Sequence, residues 1–344
     1  MRGKGICYDT GFFNRGVSTH EPFDPEVVAR ELRIIRQDLH CNAVRITGGD
    51  PERLKLAASH AAAAGLEVWL CPFPVDLTAD ELLELLADCA EHAERLRRQG
   101  AEVVLLTGSE LTVCNRGIVP GETFEERVGL PTSSDPSRGE VLAAVPARVN
   151  DLLGQAVRVV RERFGGKVSY ASLPFERVDW TPFDIVSTDA GYRSAETADR
   201  FAASVRALVA QGKPVAISEF GCCTYKGAAD RAAHGPDIVE WDAATVTPLH
   251  LDGDYVRDED EQAAYLRELL EVFAAEGVDS AFVYTFARYD LPHRDDPRLD
   301  LDLASAGVVK VLEGRRGRTY PDMAWEPKAA FAALADAYRD LAAR

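Results

Sequence analysis

Two glutamates stand where apolar runs stop. In AEVVLLTGSEL the run ends at Ser109-Glu110, and in KPVAISEFGCC it ends at Glu219. A carboxylate closing a buried run costs free energy unless something nearby stabilises it. Each is therefore either half of a structural ion pair or a working group. Two carboxyls held about 5 Å apart across a sugar ring can divide a double displacement between them. One attacks the anomeric carbon. The other protonates the leaving oxygen, then deprotonates the water that resolves the covalent intermediate. Glutamate suits both jobs, because its pKa moves with burial and with the charge of its neighbour.

The elements that must position such a pair are legible as eight β-rich runs: GKGICYD (3–9), NAVRIT (42–47), EVWLCPF (67–73), EVVLLTG (102–108), KVSYASL (167–173), DIVSTDA (184–190), PVAISEF (214–220) and SAFVYTF (280–286). Between them lie PEVVARELRIIRQDLH, ADELLELLADCAEHAERLRRQ and EDEQAAYLRELLEVFAAE, with apolar residues at helical spacing, and a last helix is expected over 326–342. Only PFERVDWTPF, between the fifth and sixth runs, is too short for a full helix. Strands alternating with helices imply a parallel sheet, and eight imply a closed (β/α)8 TIM barrel, an α/β fold. Gly65, Gly100, Gly165, Gly212 and Gly277 precede strands and suit the left-handed position that ends a helix. The βα loops after strands 4, 7 and 8 are long, the asymmetry expected when the C-terminal barrel face carries a site. No linker or repeat interrupts the pattern, so one catalytic domain over 1–344 is expected.

Glu110 ends strand four and Glu219 ends strand seven, nearly opposite each other in such a barrel. That order, the ISEFG tail and Arg45 late in strand two (NAVRIT) resemble the clan of retaining (β/α)8 glycoside hydrolases that contains cellulases, mannanases and β-galactosidases. The resemblance covers the whole chain as architecture, through motifs of a few residues each. It implies that Glu110 is the acid/base, that Glu219 is the nucleophile, and that Arg45 keeps the nucleophile ionised. It also implies that Tyr192 hydrogen-bonds the nucleophile. There are departures. Ser109 stands where the clan usually has an Asn that contacts the sugar 2-hydroxyl. Tyr284, Phe286 and Tyr289 stand where a strand-eight tryptophan often forms a sugar platform.

Other residues have a structural and a functional reading. Asp9 and Asp189 end strands and are candidates for ligand contact, although Asp189 also suits a turn cap. Trp241, in VEWDAAT, is a candidate sugar-stacking residue or a loop anchor. Glu176 is a candidate for a substrate hydroxyl; Trp69 and Trp180 read as packing. His40, His60 and His92 fall on helices, and His20, His234, His250 and His293 fall in loops. They form no strand-borne HxH pair, and no cysteines have zinc spacing. Neither metal nor cofactor is expected, and Cys222-Cys223 read as small fillers.

Composition bounds the partners. Of 344 residues 46% are hydrophobic and 28% charged, enough for a sizeable core, and the net charge is -17. That sign disfavours nucleic acid and anionic membrane surfaces, and no apolar run is long enough to span a bilayer. Seven cysteines without a framework, and an opening MRGKGICYDTGFF without the apolar core of a signal peptide, point to the cytoplasm. The expectation is a retaining glycosidase acting on a small glycoside or glycosylated metabolite. The alternatives are transglycosylation or a natural-product biosynthetic step on the same barrel, or a non-catalytic carbohydrate-sensing or phage-defence protein.

Overall fold

The computed structural model describes residues 1–343, so the last residue of the domain expected over 1–344 lies outside the described residues. Eight parallel strands close into a barrel: β1 (Gly3–Asp9), β2 (Ala43–Gly48), β3 (Glu67–Pro72), β4 (Val103–Ser109), β5 (Lys167–Ser172), β6 (Val186–Thr188), β7 (Val215–Phe220) and β8 (Ser280–Val283). Each pairs with its successor, and β8 returns to β1 with Ser280 opposite Gly3. The helices are α1 (Pro25–Gln37), α2 (Pro51–Ala63), α3 (Ala79–Arg98), α4 (Arg138–Arg161), α5 (Phe201–Val209), α6 (Glu259–Glu276) and α7 (Ala329–Ala343).

The strands are continuous apolar runs because they are buried on both faces, one against helices and one in the barrel interior. All seven residues of β4 are buried. Inside the barrel Trp69 packs on Phe282 with ring centroids 4.8 Å apart, and Cys7, Ala43, Ala171 and Ala216 leave the room these rings need. Gly5 completes the fit: a Cβ there would meet the Phe282 ring at 2.3 Å.

Helix boundaries follow the expected chemistry. Asp24 and Asp50 cap α1 and α2 with proline in the first turn, and Thr78 and Glu81 form a reciprocal capping box on α3. Gly65, Gly100, Gly212 and Gly277 take positive φ, as expected of helix terminators. Gly165 does not. Helix α4 already ends at Arg161, and the Gly165 N–H is instead donated across to Glu94 on α3 at 3.1 Å.

The connection from β5 to β6 holds only a 3-10 turn, Pro174–Glu176, so one helix of the outer ring is missing where its length was expected to be short. The long loops carry structure of their own. After β4 come short helices at Leu111–Cys114 and Phe124–Gly129, and after β7 a hairpin pairs Val239–Trp241 with Pro248–Leu251. After β8 a second hairpin pairs Val309–Val311 with Trp325–Pro327. A small hairpin after β1, Phe13–Asn14 with Val17–Ser18, was not foreseen. Among the described residues no helix is long and apolar enough to cross a membrane.

Candidate active site

Arg45 rises from β2 into the centre of the barrel and is wholly buried. A guanidinium there needs acceptors, and the surrounding strands supply them to both terminal nitrogens, while Nε has no partner among the described residues. Nη1 donates to Glu219 Oε1 at 2.6 Å and to the Ser218 carbonyl at 3.1 Å. Asp189 Oδ1 lies 3.2 Å from the same nitrogen. Nη2 donates to Ser109 Oγ at 3.0 Å, and Ser109 in turn donates to Asp189 Oδ2 at 2.6 Å. One cation thus holds two carboxylates, Glu219 from β7 and Asp189 from the end of β6. Tyr192, in the loop after β6, places its hydroxyl 3.5 Å from Glu219 Oε2. Burial keeps that phenol protonated far above its ordinary range, so it is a donor.

Glu110 is placed by its backbone. The chain leaves β4 with Gly108 at φ 117 and Glu110 itself left-handed at φ 49, ψ 39. The Glu110 N–H donates to the Ala171 carbonyl of β5 at 3.0 Å. The next two residues are clamped: Leu111 N donates to Tyr170 Oη at 2.8 Å, while Thr112 Oγ1 at 2.7 Å and Tyr170 Oη at 2.8 Å both donate to Glu176 Oε1. Among the described residues nothing hydrogen-bonds the Glu110 carboxyl, which leaves it available to a ligand.

Glu110 and Glu219 line one cavity of about 410 Å³, together with Asp189, Tyr192, Tyr284 and Arg288. The electrostatics separate the two acids. Burial, and then the charges of Asp189, Glu219 and Glu176, push Glu110 well above the usual carboxylate range, with Arg45 offsetting part. Burial and the charge of Asp189 hold Glu219 at about 7, against the pull of Arg45. Arg45 hydrogen-bonds Glu219 and not Glu110, so the ionised form is better held on Glu219, while burial without a partner favours the proton on Glu110. Environments that push two carboxyls apart in this way sort them into base or nucleophile and acid.

The other sequence candidates divide by place. Arg45 and Ser109 lie under the cavity, where Ser109 is engaged by Asp189 and Arg45 rather than facing a ligand. Asp9 is turned into the loop after β1: it accepts from Gly11 N at 2.8 Å and from the Thr19 hydroxyl, and burial pushes its carboxyl up. Glu176 does not face the cavity. It is fully buried and accepts four hydrogen bonds from Thr112, Tyr170 and Leu173, which makes it a loop clamp. Trp241 stands in a neighbouring hollow. Trp69 is interior packing, and Cys222 and Cys223 are buried free thiols on the cavity wall.

Sequence reasoning missed Arg288. It reaches the cavity from the segment after β8, with Nη1 on Tyr284 Oη at 3.3 Å and Asp290 gripping Nε and Nη2 at 2.8 and 2.6 Å. The signal was available, since Arg288 and Asp290 are a charged pair directly following the last strand on the face that carries the site. Among the described residues no three His, Cys, Asp or Glu side chains stand together as metal ligands would.

No family profile and no curated protein matches the chain. Its fold does match solved structures over nearly its full length. A GH113 beta-1,4-mannanase aligns with TM-score 0.62 at 16% identity, covering 98% of this chain and 99% of that one. The GH113 beta-mannanase AaManA from Alicyclobacillus acidocaldarius, in complex with ManMIm, aligns with TM-score 0.60 at 16% identity, covering 99% and 98%. The exo-beta-1,4-mannosidase Op5Man5 from Opitutaceae bacterium strain TAV5 gives 0.56 at 13%, covering 99% of this chain and 60% of that one. At these identities the likeness concerns the fold, a closed (β/α)8 barrel.

Proposed function

We propose that the chain is a retaining glycoside hydrolase in which Glu219 is the nucleophile and Glu110 the acid/base. One observation carries the reading: the carboxylate that Arg45 and Tyr192 hold faces the same cavity as a second carboxyl that has no protein partner and that burial pushes up. In the first half-reaction Glu219 attacks the anomeric carbon, and Glu110 gives its proton to the departing oxygen. In the second, Glu110 takes a proton from water, which attacks the same carbon and frees Glu219. Arg45 and Tyr192 fix the orientation of Glu219, and Asp189 and Ser109 fix Arg45. No step calls for a metal or cofactor.

A cavity of about 410 Å³ is the size of a small-molecule site. A small glycoside or glycosylated metabolite is the substrate class we favour. The seven buried, unpaired cysteines suit a reducing compartment such as the cytoplasm.

The test is a panel of aryl glycosides run against wild type and Glu219→Gln. Turnover by wild type, reduced at least ~10³-fold in the variant, is the expected result. Sugar binding without turnover on any member would replace the enzyme with a carbohydrate sensor.

A further inference from the structure

Beside the cavity of Glu110 and Glu219 lies a second hollow of about 370 Å³, walled chiefly by Phe12, Val17, Phe124, Trp241, Val246 and Pro248. Arg288 borders both. Four segments build the second hollow: the one after β1, the helix Phe124–Gly129, the hairpin that carries Trp241, and the stretch after β8 with Arg288 and Asp290. Arg15 ties the first three together, donating to the Ala243 carbonyl at 2.8 Å and to Glu125 at 2.8 Å. Asn14 adds a bond to Glu125 at 2.7 Å. Phe12 is held edge-on by Phe73 and Phe124, each with centroids 5.4 Å away. The walls are therefore fixed before any ligand arrives.

Trp241 is 44% exposed, the one exposed aromatic side chain among the described residues. Leaving such a ring half in water forgoes apolar burial that a ligand would recover. The polar groups around it are already engaged: Arg288 with Asp290, Thr19 with Asp9, and Glu125 with Asn14 and Arg15. The hydroxyls of a second sugar would be buried there largely without partners, which costs binding free energy for each. A flat apolar ring meets no such penalty. Asn14 Oδ1, which is buried and unpartnered, can accept a single hydrogen bond from its edge.

We propose that this cleft binds an aryl group carried by the sugar substrate. The sugar half of the statement rests on the glycosidase reading; the cleft half does not. The aryl group has two chemical sources, an aglycone across the scissile bond or an aroyl ester on a hydroxyl of the glycone.

Calorimetry with 2-naphthol alone tests the cleft without any catalysis. Saturable binding to wild type, weakened at least tenfold in both Trp241→Ala and Phe124→Ala, is expected. No binding, or binding unchanged in the two variants, overturns the proposal whatever the enzyme does. The second arm uses the sugar identified by the glycoside panel, as its 2-naphthyl glycoside, its methyl glycoside and its naphthoyl-esterified methyl glycoside. The ratio of kcat/KM in wild type to that in Trp241→Ala cancels leaving-group reactivity. A ratio raised at least tenfold for the naphthyl glycoside assigns the aglycone, and for the ester the acylated glycone; a rise in neither overturns the proposal. Absence of turnover on every sugar would remove the glycosidase reading and leave the 2-naphthol result to judge the cleft.

Discussion

Ser109 on β4 donates a 2.6 Å hydrogen bond to Asp189 at the end of β6, and by doing so holds a third carboxylate against the pair that faces the cavity. Asp189 is the leading charge that raises both Glu110 and Glu219. Asp189→Asn removes that charge and keeps the shape. The acid limb of kcat/KM should then move down by roughly one to two pH units, read from the pH–rate profile of the variant against wild type. An unmoved limb would detach Asp189 from the chemistry.

On the proposed roles, catalysis needs Glu219 ionised and Glu110 protonated. With Glu219 at about 7, activity should rise as pH passes through neutrality, and fall where Glu110, pushed up by burial, loses its proton. Stability should move the other way. Both folded pKa values lie above the unfolded carboxylate value, so their contribution is complete below about pH 4.5 and is lost as pH climbs through the folded values. Thermal scans should show Tm falling from pH 6 to 9, with a shallower slope in Glu219→Gln.

Arg45→Met should cost both function and fold, because it strands two buried carboxylates. Breaking a buried pair from one side costs about 3–5 kcal/mol, which urea unfolding at neutral pH would measure. Asp189 shares the pairing, so the loss reaches beyond the nucleophile to the fold. Adding Asp189→Asn should recover part of the stability and none of the turnover. Near-normal turnover in Arg45→Met would return this residue to a structural role.

The two acids separate by stereochemistry. Glu219→Gly removes the attacking carboxylate and leaves space, so added azide should give a glycosyl azide of inverted configuration. Glu110→Ala should still form the glycosyl-enzyme from a dinitrophenyl glycoside, show a burst, then wait for a water that no base activates. Azide should rescue that step with retention. The same anomer from both variants, or rescue of neither, would overturn the assignment of roles.

Glu176→Ala should report on the clamp behind Glu110. Four donors lose their acceptor in a fully buried site. A loss of ~3 kcal/mol or more is expected in urea unfolding, with a fall in kcat from the loosened Glu110 loop.

The eight strands were legible because burial on two faces writes them as unbroken apolar runs, and α6 has its expected bounds because Asp258 and Gly277 punctuate both ends. Gly165 misled, since helix α4 stops four residues earlier and the glycine serves a cross-helix bond instead. The acids at 110 and 219 were legible as charges ending apolar runs. The cleft was not, because it depends on loops that pack by contacts far apart in sequence, such as Arg15 with Ala243 and Glu125. Glu176 carried the same local signal as a ligand contact, a carboxylate past a strand end, and only its four donors distinguish the two.

Glu110 occupies a left-handed backbone at φ 49 that costs a residue bearing a Cβ roughly 1–2 kcal/mol and costs glycine little. Heat resistance and chemistry therefore pull this position in opposite directions. A laboratory selection for thermal robustness alone, with no assay of turnover, would be drawn to glycine at 110 and would enrich sturdier barrels that no longer cleave anything.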